Sequence, residues 1–348
     1  MMCSTVLTVI AATLAVLPAA QAGRSAAAPE GDSARVVALA IAPAQFDSAA
    51  GPSLLFEPNE LTDGDGAELY AEAAQALPQA TNGEQIRRWL AAPLSELPQA
   101  QVHALVQQAR ASLELTSRGA GCDKCDWPPF QPGTMPANLG GYRDLARLLC
   151  LRARLEVAQK RYNNAIETIR TGLAMARHIG EGPTVVQGTV GVAIAAMVLR
   201  CVEDLAQASG SANLHAALGA LPQPLIDVER PISSELKSLD ASRQYSQAVR
   251  TMMRRQMEAG FERVRQLTYR LDATVAALQC IEALRHHAAT HNGSLPARLE
   301  EIHGVEVPAG DQTAFVYRLD GSKAVLEVAP PKGGRPRDAV RYEITVAR

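Results

Sequence analysis

Two amphipathic helices joined by a very short turn constrain this fold more than any other feature of the sequence. Both helices repeat apolar residues at helical spacing: Leu145, Leu148, Leu149, Leu151 and Leu155, then Tyr162, Ala165, Ile166, Ile169, Leu173 and Ala176. Because only residues 159–161 separate them, the helices are expected to pack antiparallel as a hairpin. Small side chains at Ala153 and Ala165 predict a close crossing.

An apolar run at residues 184–199 follows this hairpin, interrupted by Gln187, Gly188 and Gly191. The run is shorter than the roughly 20 residues that a membrane-spanning helix needs. We therefore predict a central buried helix, returned to solvent by Arg200, Glu203 and Asp204.

The rest of the chain from Asp63 to Asn292 is also predicted to be mainly helical, with a Gly stop at Asn292-Gly293 and a proline at Pro296. The predicted segments are residues 63–77, 82–90, 99–115, 214–218, 233–260 and 261–291. Four prolines and the Cys122/Cys125 pair make residues 116–136 irregular.

The pattern changes to strands beyond Pro296. Apolar residues alternate at 315–319, Asp320-Gly321 indicates a hairpin turn, and residues 324–328 and 341–346 alternate again. We predict a mainly α protein, with antiparallel, repeat-like helical hairpins over residues 63–292. A small antiparallel β module of about three strands is predicted over residues 293–348.

The first 22 residues are typical of a secretory signal, with an apolar run at 6–17 and Ala20-Gln21-Ala22 before Gly23. Residues 23–62 are rich in Ala, Ser, Pro and Gly and are interpreted as an irregular linker, although residues 36–41 could form a strand. The protein is therefore expected to be exported to the periplasm, the cell envelope or the exterior. No stable transmembrane span is expected after cleavage.

A formal net charge of −2 removes any general argument for nucleic-acid binding. The sequence contains no Gly-rich phosphate loop, nucleotide fingerprint or Gly-x-Ser-x-Gly elbow. No cofactor is expected, and no catalytic residue is identified.

Cys122 and Cys125 form the one short motif with obvious chemical capacity. Two thiols at this spacing can form a disulfide, act in redox chemistry or supply half of a zinc site. No second pair completes a zinc site, so the favoured interpretation is a local disulfide in an irregular loop, or two thiols without a chemical role. Cys150, Cys201 and Cys280 lie on apolar helical faces and are predicted to be buried thiols.

His287 and His291 are four residues apart and share a helix face, near His286 and His303. Together they could hold a metal ion, but two ligands bind weakly. The favoured interpretation is a helix end at which histidine interacts with the dipole.

Residues 237–270 contain eight Lys and Arg residues and few acids. The stretch could touch a membrane surface or an acidic partner. A solvated face of a long helix is the favoured interpretation.

Two resemblances concern the helical part of the chain. Residues 145–179, through Ala153, Tyr162 and Ala165, resemble one tetratricopeptide unit. The blocks at residues 147–156, 161–166 and 176–183 are also similar to exported bacterial proteins of unknown function. These resemblances imply a helical core and bring no activity.

Residues 275–328 combine Ala283-Leu284-Arg285 in a helix, a Gly turn with Leu-Pro at 291–299, and Phe315-Val316-Tyr317-Arg318 opening a sheet. This segment resembles the soluble part of type II secretion pseudopilins. In that family the module follows an N-terminal helix that polymerises. Here the helix lies deep in the chain and the processing site is absent, so the resemblance implies a fold element.

The leading hypothesis is a non-enzymatic exported scaffold whose partner is a protein or peptide. The alternatives are an exported, hydrolase-like enzyme with an unrecognised site, or a thiol or metal protein centred on Cys122 and Cys125.

Overall fold

The computed structural model describes residues 34–46, 51–78, 82–129, 138–243, 245–303, 315–330 and 334–347, so the predicted signal at 1–22 lies outside the described residues. The protein is mainly α with a small sheet, as predicted. The described helices are α1 Gly66–Gln75, α2 Gly83–Ala91, α3 Gln99–Gln108, α4 Arg110–Ala120, α5 Leu139–Ala158, α6 Tyr162–Gly180, α7 Val185–Ala206, α8 His215–Gly219, α9 Glu229–Ala241 and α10 Gln247–Thr290. The strands are β1 Arg35–Ile41, β2 Thr62–Asp65, β3 Cys122–Lys124, β4 Phe315–Asp320, β5 Lys323–Val328 and β6 Val340–Val346.

The predicted hairpin is formed by α5 and α6, and its turn contains Lys160 in the left-handed region with φ 58°. Ala153 and Ala165 are both buried. Helix α7 packs on this pair, and its Gly191 approaches Gly180 so closely that a Cβ would lie 2.4 Å from the Gly180 Cα. Only glycine permits that approach between two helix backbones.

Helix α7 is the predicted central buried helix, and its neighbours are α5, α6, α9 and α10. Within the described residues it is the one helix long and apolar enough to cross a membrane, and 61% of that window is buried inside the protein. The prediction that Glu203 and Asp204 return it to solvent is wrong, because both side chains are almost fully buried. Asp204 is paired with Arg154, and Glu203 accepts a hydrogen bond from Tyr342.

The N-terminal helices begin at side-chain caps. Asp65 accepts a hydrogen bond from the Ala67 amide at the start of α1, and Asn82 caps α2. The single helix predicted at 99–115 is instead α3 and α4, with a bend at Ala109, and α4 continues to Ala120. The predicted irregular stretch at 116–136 is therefore wrong for its first five residues, and β3 lies within it.

Four strands form one sheet in the order β1-β6-β5-β4, in which β1 runs parallel to β6 and the other pairs are antiparallel. The three antiparallel strands confirm the predicted module, and β1 adds a fourth. Of the two alternatives for residues 36–41, the structure has the strand and not the irregular linker, because Val37, Leu39 and Ile41 alternate towards the core and make this segment a sheet strand.

Helices α9 and α10 replace the two segments predicted at 233–260 and 261–291. Ser246 starts α10 by accepting a hydrogen bond from the Val249 amide, and the helix then runs for 44 residues, about 66 Å. It ends as predicted, with Asn292 and Gly293 both at positive φ.

A buried ion pair on α10 connects distant parts of the chain. The Arg285 guanidinium lies 2.8 Å from Glu282 and donates to the Ala42 carbonyl and the Ser211 hydroxyl, each also at 2.8 Å. Glu282 in turn accepts from the Leu214 amide at 3.0 Å. Helix α10, the exit of β1 and the loop before α8 are thereby held together.

A second buried pair connects three helices. Arg154 on α5 donates to Asp204 on α7 at 2.9 Å. It also donates to the Trp89 and Ala92 carbonyls at the C-terminal end of α2. The last-turn carbonyls of α2 therefore receive a cationic donor.

Replacing Arg285 with alanine is expected to lower the free energy of unfolding by about 3–5 kcal/mol, because Glu282 would stay buried without its cation. Urea unfolding followed by circular dichroism measures the change. The matched control is Arg298→Ala, whose side chain is 79% exposed and whose loss should cost no more than about 0.5 kcal/mol. Equal stability of the two variants would contradict the role given to Arg285.

Candidate functional site

The Cys122/Cys125 pair lies on residues 122–127, which we call the strap and which contact α1 and α6. Strand β3 pairs in parallel with β2, and Asp65 at the end of β2 accepts a second hydrogen bond, 2.9 Å long, from the Asp126 amide. The carboxylate that caps α1 therefore also holds the strap. The sequence motif is a structural junction between β2, α1 and the chain after β3.

Tyr70 and His178 meet beneath this strap. The Tyr70 hydroxyl lies 2.8 Å from His178 Nδ1, and Tyr70 is completely buried. The Trp127 indole donates to the His178 carbonyl at 2.7 Å and packs edge-on against Tyr142. The Trp127 side chain thus holds the strap against α6 by a hydrogen bond to its backbone.

The electrostatics of this cluster oppose thiol chemistry. Burial, together with nearby carboxylates, raises the pKa of the thiols of Cys122 and Cys125. Burial lowers the pKa of His178 to about 4, so the imidazole is neutral at pH 7. Reactive cysteines need the opposite shift, towards the thiolate.

Cys122 and Cys125 are both free thiols in the structure. Cys122 directs its sulfur to the Arg118 carbonyl at 3.4 Å, in the last turn of α4. The predicted disulfide between the two stays a prediction. Cys150, Cys201 and Cys280 are buried, as predicted.

His287 and His291 are brought together, but with their rings stacked 3.9 Å apart and nearly parallel. His291 Nδ1 lies 3.0 Å from the His287 carbonyl, so this nitrogen is engaged with the helix end. Among the described residues no group of three or more His, Cys, Asp or Glu side chains could hold a metal ion.

The basic stretch forms one side of an antiparallel hairpin, which we call the basic hairpin and define as residues 229–270 of α9 and α10. Arg265 pairs with Glu229 at 2.7 Å, and Arg254 pairs with Asp240 at 2.5 Å. Eleven residues separate the partners on each helix, which matches an antiparallel alignment. Arg250 donates to the Ser242 and Tyr245 carbonyls and closes the turn.

The basic hairpin contains nine Lys and Arg residues and five Asp and Glu residues. Within the basic hairpin, four exposed cations have no acidic partner among the described residues: Arg230, Lys237, Arg243 and Arg255. An open, shallow groove of about 820 Å³ runs along the first turns of α10, lined by Ala248, Thr251, Met252, Arg255 and Gln256 among others. Met252 is 44% exposed.

Glu235 joins the basic hairpin to the helical core. Its carboxylate accepts a hydrogen bond of 2.7 Å from the Val185 amide in the first turn of α7. Burial raises the pKa of Glu235 to about 7 despite that bond. No sequence pattern indicates this contact or the Tyr70–His178 pair, since the partners are 50 and 108 residues apart.

Replacing Glu235 with glutamine is expected to stabilise the protein by about 2–3 kcal/mol at pH 8 and to change little at pH 5. The pKa of Glu235 is raised, so the folded state binds the proton more tightly than the unfolded state. Stability then falls as pH rises from about 4.5 to about 7, and the neutral amide avoids this loss. Urea unfolding at both pH values measures it, with exposed Glu300→Gln as control. A gain that is equal at both pH values would contradict the assignment.

Cys122 and Cys125 are expected to react slowly with iodoacetamide at pH 8 in the folded protein, because little thiolate forms. Peptide mapping by mass spectrometry measures alkylation before and after unfolding without reductant. Rapid labelling of both peptides in the folded protein would contradict the shielded environment. Failure to label them after unfolding would instead reveal the predicted disulfide.

Comparisons with protein-family models, with curated proteins and with solved structures find no match for this chain. The tetratricopeptide and pseudopilin resemblances therefore stay predictions. Function has to be inferred from the contacts and exposed surfaces of this chain.

Proposed function

We propose that the protein is a non-enzymatic exported scaffold or protein-interaction protein of the bacterial envelope, and that the basic hairpin contacts a protein or peptide partner. Export rests on the apolar run at 6–17 and the Ala20-Gln21-Ala22 motif. The contact role rests on the way in which α10 is buried.

The observation that carries the proposal is the one-sided burial of the N-terminal half of α10. In this half the buried residues lie on one face of the helix, at Met253, Met257, Phe261 and Val264. In the second half, by contrast, most residues from Ala273 to Ala288 are buried. The outer side of the first half lies open. A long helix that buries only one face leaves its other faces available to a partner.

Polar contacts strengthen this interpretation. Every hydrogen bond and ion pair that the structure shows for side chains of residues 246–262 stays within the basic hairpin. Over this length the polar side chains therefore stabilise the hairpin itself and form none of the described hydrogen bonds or ion pairs with the core. Such a braced, exposed element can receive a partner without rearranging the fold.

The buried charges of the core have a different role. The side chains of the pairs Arg285–Glu282 and Arg154–Asp204 are almost completely buried, and their hydrogen bonds join separate elements. The groove on α10 contains one ionisable side chain, Arg255. This composition suits recognition better than acid–base catalysis, which needs converging titratable groups.

Replacing Met252 with a photo-crosslinking phenylalanine analogue is expected to produce a specific adduct when the chain is expressed in its native envelope. The matched control carries the same analogue at Val316, which is 45% exposed on β4 and lies far along the chain from the basic hairpin. Affinity capture followed by mass spectrometry identifies adducts. Adducts absent from both positions, or identical at both, would contradict a contact role for the basic hairpin.

A further inference from the structure

We infer that the partner of the basic hairpin is an acidic amphipathic helix that lies along the outer face of α10. The inference rests on the proposed function, because it concerns the same surface. It adds the shape and the charge of the partner.

Shape is the first argument. Ala248, Met252, Arg255, Ala259 and Glu262 are all exposed and follow each other at steps of four, three, four and three residues. Residues at these steps form one straight stripe on a helix, here about 21 Å long over four turns. Small residues at Ala248 and Ala259 let a second helix approach to the usual 8–10 Å between axes, with Met252 as the apolar contact between them.

Charge is the second argument. The four exposed cations of the basic hairpin that have no acidic partner among the described residues lie on both helices and in the turn, at Arg230, Lys237, Arg255 and Arg243. The basic hairpin contains four more cationic than anionic side chains, whereas the whole chain has a net charge of −2, so this region is more positive than the rest of the chain. A local excess of one sign steers a partner of the opposite sign to that place.

The surface favours a polypeptide over a lipid bilayer. Of the large apolar residues that are exposed in the described chain, only Met252 belongs to the basic hairpin. A helix that inserts into a membrane interface needs a broad apolar face, which this stripe does not offer. The side chains of Thr251 and Gln256 in the groove can instead exchange hydrogen bonds with a peptide. A second copy of the chain would bring the same positive charge against itself.

The test uses two synthetic helical peptides of about 21 residues, with the same Ala/Leu face and with either Glu or Gln at the remaining positions. Fluorescence anisotropy with the full chain is measured at low and high salt. The Glu peptide is expected to bind more tightly than the Gln peptide, and salt should weaken it. The triple variant Lys237→Gln, Arg243→Gln, Arg255→Gln is expected to lose about tenfold in affinity, because three exposed ion pairs are removed.

The matched control removes three exposed arginines elsewhere, as Arg87→Gln, Arg88→Gln, Arg161→Gln, and should bind like the wild type. Met252→Ser should weaken binding as well, with unchanged circular dichroism. Equal weakening in both triple variants would overturn the assignment to the basic hairpin. Equal affinity for the Glu and Gln peptides would overturn the acidic partner.

Two further arms decide between occupants. Binding to phosphatidylglycerol vesicles without binding to the Glu peptide would overturn the inference in favour of a lipid surface. A dimer in sedimentation velocity that Met252→Ser dissociates would overturn it in favour of a second copy. The crosslinking experiment at Met252 is read independently, so an adduct there with a charge-insensitive peptide result would leave the proposed function standing and reject only the acidic helix.

Discussion

The buried pair of Arg285 and Glu282 is the interaction on which the arrangement of the other elements depends. Burying a cation and an anion costs several kcal/mol per ion unless the geometry is good and the remaining polar atoms are satisfied. Here those atoms are satisfied by carbonyls and amides from the exit of β1 and from the loop before α8. Asn213 extends the same network by donating to the carbonyls of Ala44 and Glu282. The pair is therefore stable only when three separate segments have assembled around it.

Local periodicity explains what could be predicted from the sequence. The hairpin of α5 and α6, the buried helix α7 and the stop at Asn292 each depend on neighbours within a few turns of chain. The pairing of β1 with β6 depends on residues about 300 positions away, so the alternation of Val37 and Leu39 indicated a strand without indicating its partner. The burial of Glu203 and Asp204 was missed for the same reason, since their partners lie on other elements.

The candidate sites divide in a similar way. The spacing of Cys122 and Cys125 suggested chemistry, yet Asp65 and the aromatic cluster at Tyr70 place the thiols where the charged form is disfavoured. The basic stretch suggested a solvated helix face, and much of it is one. Arg265 and Arg254 form ion pairs with Glu229 and Asp240 on α9. Which arginines are paired in this way depends on how α9 lies against α10, and not on the local sequence.

The parallel pairing of β1 with β6 also bears on the order in which the protein is made. β1 emerges from the ribosome about 300 residues before its neighbour in the sheet, β6. Until β6 arrives, the apolar side chains of Val37, Leu39 and Ile41 have no sheet to join, and a long loop must close to bring the two strands together. A chain built in this way can complete its sheet only after β6 has been synthesised, however early its helices form.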